Sequence, residues 1–469
     1  MSAEIIGLSI LILGVALIIG KMIRMYIPFF SKFFLPSSVI GGIVVLLLGP
    51  EILGTLFNVF SIKDFEEGLF TEEIIEVFKA LPILLISVIF AALFLGKKIP
   101  KFKEIWEIAG PQVSFGQTVA WGQYVIGLLL AIFILAPFFN ANPMVGALIE
   151  IAFEGGHGTS AGLASTFADL DFEEGVDLAL GLATVGVISG VVFGVFLINW
   201  AVKNQKTNFL KKPEEFDENQ LRGIIEVEQR EESGWLTTSP QSIEPLALHL
   251  SVTGVAILLG WGILELLIFI ESISWGTNDG FMIFAYLPLF PLAMLGGIII
   301  QIFLDKFDTY ELIDRNTINR IQGLALDFLI VSAIGSLSLK VIGDNIEVFL
   351  ILAVAGITWN IVAFLIIAPR MIPKNWVERG IGDFGQSMGM TAAGLMLIRI
   401  VDTQGDAKAM EAFGYKQLLF EPFVGGGLMT AASVPLIYQF GPYKVLIFSA
   451  VIMLFWILVG LYRFGKSKK

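Results

Sequence analysis

Long apolar runs separated by short polar segments set the pattern of this chain. A helix crossing the hydrocarbon core of a bilayer needs about 20 mostly apolar residues. On that rule spans are expected near 4–22, 34–57, 80–96, 118–138 and 177–202. After a polar stretch, 203–243, further spans are expected near 245–271, 280–304, 322–342, 347–369, 417–440 and 443–463. The pattern therefore predicts an all-α polytopic membrane protein with eleven spans. Two segments break the rhythm: NANPMVGALIEIAFEGGHGTSAGL from Asn140, and GDFGQSMGMTAAGL from Gly382. Each has an apolar arm, a glycine-rich turn and a second arm of small residues.

Composition agrees with the pattern and narrows the chemistry. Of 469 residues, 56% are hydrophobic and only 15% charged, well below the share of about 25% in soluble domains. The absence of cysteine excludes disulfides and thiolate metal sites, and two histidines make a multi-histidine metal site improbable. A net charge of −12 argues against nucleic acid as a partner. No GxxxxGK[ST] loop occurs, which argues against ATP-driven pumping. The first apolar run has no basic region before it and no small-residue cleavage site after it, so it reads as a retained span.

Loop charges orient the spans. Lys21, Arg24 and Lys32 follow the first span, and Lys97, Lys98, Lys101 and Lys103 follow the third, whereas segment 58–79 carries Asp64, Glu66, Glu67, Glu72, Glu73 and Glu76. Basic loops face the cytoplasm, so the N-terminus is expected outside. The linker 203–243 and the basic tail with Arg463, Lys466, Lys468 and Lys469 are then expected inside, in a multi-pass protein of the cell's inner membrane. The linker is charged and poor in apolar residues, which suits a connector better than a domain.

An internal repeat organises the spans. LPSSVIGGIVV at Leu35 is echoed by FPLAMLGGIII at Phe290, each with a proline five residues before a Gly-Gly pair. TSAGL at Thr159 is echoed by TAAGL at Thr391. The expected organisation is an N-terminal half, 1–202, with a hairpin near 142–168, then the linker 203–243. A C-terminal half, 244–442, follows with a hairpin near 371–401, and 443–469 adds one further helix and the basic tail. An odd number of spans in each half makes the halves inverted repeats, the organisation of many secondary transporters.

Both hairpins are then re-entrant, one entering from each face of the membrane. Irregular backbone survives at that depth only where protein buries it or it lines a cavity. Gly155, Gly156 and Gly158 allow left-handed backbone and close approach to a ligand. A half-helix starting near Thr159 would aim free N–H groups at a carboxylate. Thr159, Ser160 and Thr391 would offer oxygens to sodium. The alternative for such small residues is ordinary close helix packing. His157 either contacts substrate or serves as a hydrogen-bonded structural residue; His249 reads as a core residue. Glu150 and Glu154 are sodium ligands or water-facing groups at the hairpin mouth. Asp327 and Glu421 are intramembrane carboxylates by position, or interfacial ones. Gln123 and Asn360, in corresponding spans, line the substrate path or bond between helices. Arg399 pairs with a substrate carboxylate or simply follows the positive-inside rule.

GGHGT at Gly155–Thr159 resembles the first-loop motif of the bacterial glutamate:sodium symporter family. That family is likewise built from two inverted five-span halves with a re-entrant loop in each. The second loop, QSMGMTAAG from Gln386, departs from the family's more glycine-rich turn followed by Thr-Pro, with Ser387 and Ala392 standing out. The resemblance implies sodium-coupled uptake of glutamate by a homodimer, with sodium as coupling ion and no other cofactor. The substrate is then expected against Gly155, Gly156, His157, Gly158, Thr159 and Ser160 of the first turn, and Ser387, Gly389 and Thr391 of the second. Gln123 and Asn360 are expected beside it, and sodium near Thr159, Ser160, Thr391 and Asp327. Two rivals keep the architecture: a citrate or malate symporter, and a sodium/proton antiporter using Asp327 and Glu421. An intramembrane enzyme lacks a convincing nucleophile and base.

Overall fold

The computed structural model describes residues 2–32, 35–60, 67–98, 101–207, 222–230, 232–275, 283–389, 391–402 and 407–465. Among these, all regular structure is helical. Ten helices are long and apolar enough to cross a membrane. They are α1 (Ala3–Tyr26), α2 (Ser37–Val59), α3 (Glu72–Ala91), α4 (Ile105–Phe139), α7 (Glu174–Lys203), α8 (Pro245–Ile273), α9 (Leu289–Phe307), α10 (Arg315–Gly335), α11 (Ile346–Met371) and α16 (Pro442–Phe464). The protein is a polytopic membrane protein. Shorter helices fill the remainder: α5 (Pro143–Phe153) and α6 (Gly156–Gly162), then α12 (Trp376–Gln386), α13 (Thr391–Val401), α14 (Ala409–Phe420) and α15 (Leu428–Phe440). Linker residues 208–221 and 231, the acidic Asp64 and Glu66, and the basic Lys466, Lys468 and Lys469 lie outside the described residues.

The expected span near 417–440 is two helices, not one. Glu421–Gly427 separates α14 from α15, with Gly425 and Gly426 at φ +73° and +100°. Pro422 has no N–H to continue the helix, and left-handed backbone suits glycine. Apolarity alone could not register this break. Helix starts also differ from the apolar runs. α3 begins at Glu72, placing Glu72 and Glu73 in its first turn, where carboxylates complement the helix dipole. α10 begins at Arg315, so Asp327 sits well inside the helix. Asp314 caps α10 through the Thr317 N–H at 2.8 Å. Partial burial would raise the Asp314 carboxyl, but hydrogen bonds from Thr317 and Trp235 outweigh it and leave it below its ordinary value. The Asp314 N–H donates to His249 Nε2 at 2.7 Å, leaving Nδ1–H to donate to the Pro245 carbonyl at 2.6 Å. His249 is a fully partnered core residue.

The chain forms two compact units. The first comprises residues 1–99, 161–166 and 218–340, and holds α1–α3 with α8–α10. Here the paired Gly-Gly helices show parallel packing. A Cβ on Gly41 would lie 2.7 Å from the Ala16 carbonyl of α1, and one on Gly296 would run into the Ala256 carbonyl of α8. Each first glycine thus lets its helix press against the one preceding it. The second glycines serve other neighbours: Gly42 faces Ile334 of α10, and Gly297 the Ala91 carbonyl of α3. Small residues are what let membrane helices approach this closely.

The second unit comprises residues 100–160, 167–217 and 341–469, and holds α4, α5, α7 and α11–α16. Here α12 and α13 form a helical hairpin whose arms meet at glycine, a Cβ on Gly385 falling 2.7 Å from the Gly394 Cα. Gly394 of TAAGL is therefore a packing residue. α4 and α11 cross at Gly122, which faces the Trp359 ring, while Trp359 Nε1 donates to the Val119 carbonyl at 2.9 Å.

Gly41→Val and Gly296→Val should each cost about 1–3 kcal/mol of stability by overpacking. Gly14→Val, where a Cβ meets nothing within 4 Å, should cost far less. Thermal unfolding of the three variants in detergent checks the difference.

Candidate functional site

The glycine-rich turns come together inside the second unit. After α5 the chain turns at Glu154 and Gly155, and Gly156 takes φ +70°. In the other turn, Gly389 takes φ +126°. A Cβ on Gly156 would collide with the Gly389 carbonyl oxygen. The two backbones therefore touch, which only glycine permits at these positions. Around Gly389 the space is closed by Val187 of α7, whose side chain would lie 2.9 Å from an added Cβ.

Two amides hold the second turn. Gln123 Nε2 of α4 donates to Asn360 Oδ1 of α11 at 3.0 Å and to the Ser387 carbonyl at 3.1 Å. Asn360 Nδ2 donates to the same carbonyl. The two amides thus join their helices and fix the backbone of the turn. His157 is buried, and its Nε2 lies 2.9 Å from Thr184 Oγ1. Because the Thr184 hydroxyl donates to the Leu180 carbonyl at 3.0 Å, His157 is the donor between them. Ser160 Oγ donates to the Gly156 carbonyl at 2.9 Å, whereas Thr159 Oγ1 is buried without a hydrogen-bond partner.

Two expectations shift. The second arm of the first hairpin begins at Gly156, not near Thr159, so Gly158 is helical. That arm runs for only 7 residues, too short for a strong dipole at its start. Asp327 belongs to the first unit, on α10, and its side chain is exposed. Thr391, at the start of α13, is half-buried; the Arg399 side chain lies outside the described ones.

Buried charges extend the site: Glu150 is a candidate already in the sequence, whereas Lys416 and Asp383 are not. Glu150 accepts from Thr430 Oγ1 at 2.8 Å, from the Gly425 N–H at 3.1 Å and from the Tyr124 hydroxyl. It ties the first hairpin to the broken helix α14–α15. Lys416 Nζ, 0% exposed, meets Asp383 Oδ1 at 2.7 Å and Gln386 Oε1 at 2.9 Å, and lies 3.9 Å from the centre of the Phe420 ring. Gly116 leaves room for it, since a Cβ there would lie 2.8 Å from Nζ. Lys416 escaped notice because it adjoins the expected start of a span at 417, where a lysine reads as an interfacial charge. Asp383 sits in GDFGQS, where the glycines drew attention first.

A turn-to-turn contact, amides fixing one turn and buried oxygens beside the other suit a small ligand bearing charge. Comparison with known families is decisive: the sodium/glutamate symporter family matches residues 5–404. The chain belongs to this family. Comparison with curated proteins finds no match. The symporter therefore couples glutamate movement to sodium, and neither the citrate or malate carrier nor the antiporter is favoured.

For a sodium/glutamate symporter, the Asp383–Lys416 pair is a structural commitment close to the turns. Removing one partner leaves a buried charge uncompensated. Lys416→Met should cost about 3–5 kcal/mol, and Lys416→Met combined with Asp383→Asn should recover much of the loss. Unfolding temperatures of the single and double variants in detergent would show whether the two residues act as a pair.

Proposed function

We propose that the symporter binds glutamate and sodium between its two glycine-rich turns and carries them into the cell by alternating access. The observation carrying this reading is the contact of Gly156 with the Gly389 carbonyl. It brings unwound backbone of two separate hairpins to one buried point, where carbonyls and hydroxyls can meet a cation and N–H groups a carboxylate. In this reading Gly155, Gly156, His157, Gly158, Thr159 and Ser160 form one wall, and Ser387, Gly389 and Thr391 the other. Gln123 and Asn360 shape the second wall by holding Ser387. Thr159, Ser160 and Thr391 offer oxygens to sodium.

The same reading makes the hairpins re-entrant and the halves, 1–202 and 244–442, inverted repeats. Supporting it, each Gly-Gly helix packs with its first glycine on the helix before it and its second on the third helix of the other half. The element order also matches, with the broken helix α14–α15 standing where the first half has α7. α16 is then the added helix. Loop charges place the N-terminus outside and the linker and tail in the cytoplasm of a cell whose inner membrane holds the protein. The assembly is a homodimer in this reading, as the family resemblance implies.

Purified symporter in liposomes should accumulate labelled glutamate only under an inward sodium gradient, with no uptake of citrate or malate. Gly156→Ala and Gly389→Ala should each abolish uptake, because a Cβ adds a collision to left-handed strain of about 1–2 kcal/mol. Sodium-independent uptake, or full activity in either variant, would count against the two-turn site.

A further inference from the structure

We infer that Glu154 is the ligand of a coupling cation, a monovalent ion seated at the meeting of the two turns. The inference rests on the two-turn reading of the site and names the group that makes it cation-dependent. Glu154 lies at the first turn, 4% exposed, and neither of its carboxylate oxygens has a hydrogen-bond partner. Burying an ionised carboxylate in that condition is prohibitive unless a positive charge joins it.

The surroundings of Glu154 sharpen the point. The groups acting on it are the Lys416 ammonium, the Ser387 hydroxyl, and the like charges of Glu150 and Asp383. Lys416 is committed to Asp383 and Gln386, and Glu150 is met by three donors. Three buried carboxylates thus share one ammonium: Lys416 is paired with Asp383, donors meet Glu150, and Glu154 has no cation of its own and only the Ser387 hydroxyl facing it. Further buried oxygens without hydrogen-bond partners lie at the same turns and the helix that holds them: Thr159 Oγ1 beside Gly155, Ser387 Oγ, and Oε1 of Gln123, whose amide nitrogen binds Ser387; the others of the second unit are those of Asp383, ion-paired with Lys416, and Ser449 on α16. Among the described residues of the second unit, the buried side-chain atoms without partners are all oxygens. Oxygen lone pairs around one uncompensated carboxylate describe a seat for a hard monovalent cation, sodium or a proton.

The test is the thermal stability of purified protein, titrated with sodium chloride against potassium chloride at mildly acidic and mildly alkaline pH. Sodium should raise the melting temperature of the wild type at alkaline pH. Glu154→Gln removes the uncompensated charge while keeping the shape. It should melt at or above the wild type without sodium, and need about tenfold or more sodium for the same rise, the loss expected for one charge-assisted contact. If the cation is a proton, acid alone should stabilise the wild type, sodium should add nothing, and the variant should lose the acid response. Glu154→Asp, which keeps the charge, should retain a weakened cation response and guards against misfolding of the amide variant. A Glu154→Gln protein that melts lower without sodium yet keeps the full response to sodium and acid would overturn the inference. Wild-type liposome uptake reports separately on the reading beneath it. Absent uptake would sink the two-turn site itself, whereas sodium-driven uptake with an unchanged Glu154→Gln response would sink only the role of Glu154.

Discussion

The contact between two glycine turns is the constraint on which the rest depends. Buried backbone must find its hydrogen bonds within the protein or in enclosed water. Two irregular turns brought together therefore require helices on all sides to close them. α4 and α11 supply the amides that hold the Ser387 carbonyl, and α7 closes on Gly389 through Val187. The broken helix α14–α15 contributes the Gly425 N–H and the Thr430 hydroxyl that bind Glu150 at the foot of the first hairpin. Each of these elements is itself interrupted or pinched by glycine where it nears the turns.

Charge is the second organising feature. Glu150, Asp383 and Lys416 are fully buried, and each has partners that make its burial tolerable. Buried pairs of this kind contribute little net stability, since desolvation offsets the attraction. What they provide is position: Lys416 fixes Gln386, the residue leading into the second turn, and Glu150 fixes the approach to the first. Glu154 differs from them, and that difference links the protein's own electrostatics to the ion it couples.

Much of the fold was legible in the chain because period and length of apolar runs report membrane helices directly. The glycine turns were legible too, since Gly155-Gly156 and Gly389 stand inside apolar surroundings that otherwise favour helix. Hydropathy fails where charge and apolarity mix. It clipped the first turns of α3 and α10, whose Glu72 and Asp314 belong to the helix or its cap. It also joined α14 to α15 across Pro422 and Gly425, because glycine and proline lower an apolar average only slightly. The charged cluster was hidden for another reason. Lys416 and Asp383 are far apart in sequence and neutralise one another only in three dimensions. For His157, whose place in GGHGT allows either a substrate contact or a hydrogen-bonded structural role, the bond is to Thr184, a partner no spacing rule could supply.

The central claim is that glutamate occupies the space between the two turns in a sodium-dependent way. The chain has no cysteine, so a single thiol placed at the mouth of α13 by Thr391→Cys would be the only one to react with a small methanethiosulfonate. Glutamate together with sodium should slow that reaction, while glutamate with potassium should leave it unchanged. A transport-competent Thr391→Cys protein whose labelling rate ignores glutamate in sodium would contradict the account.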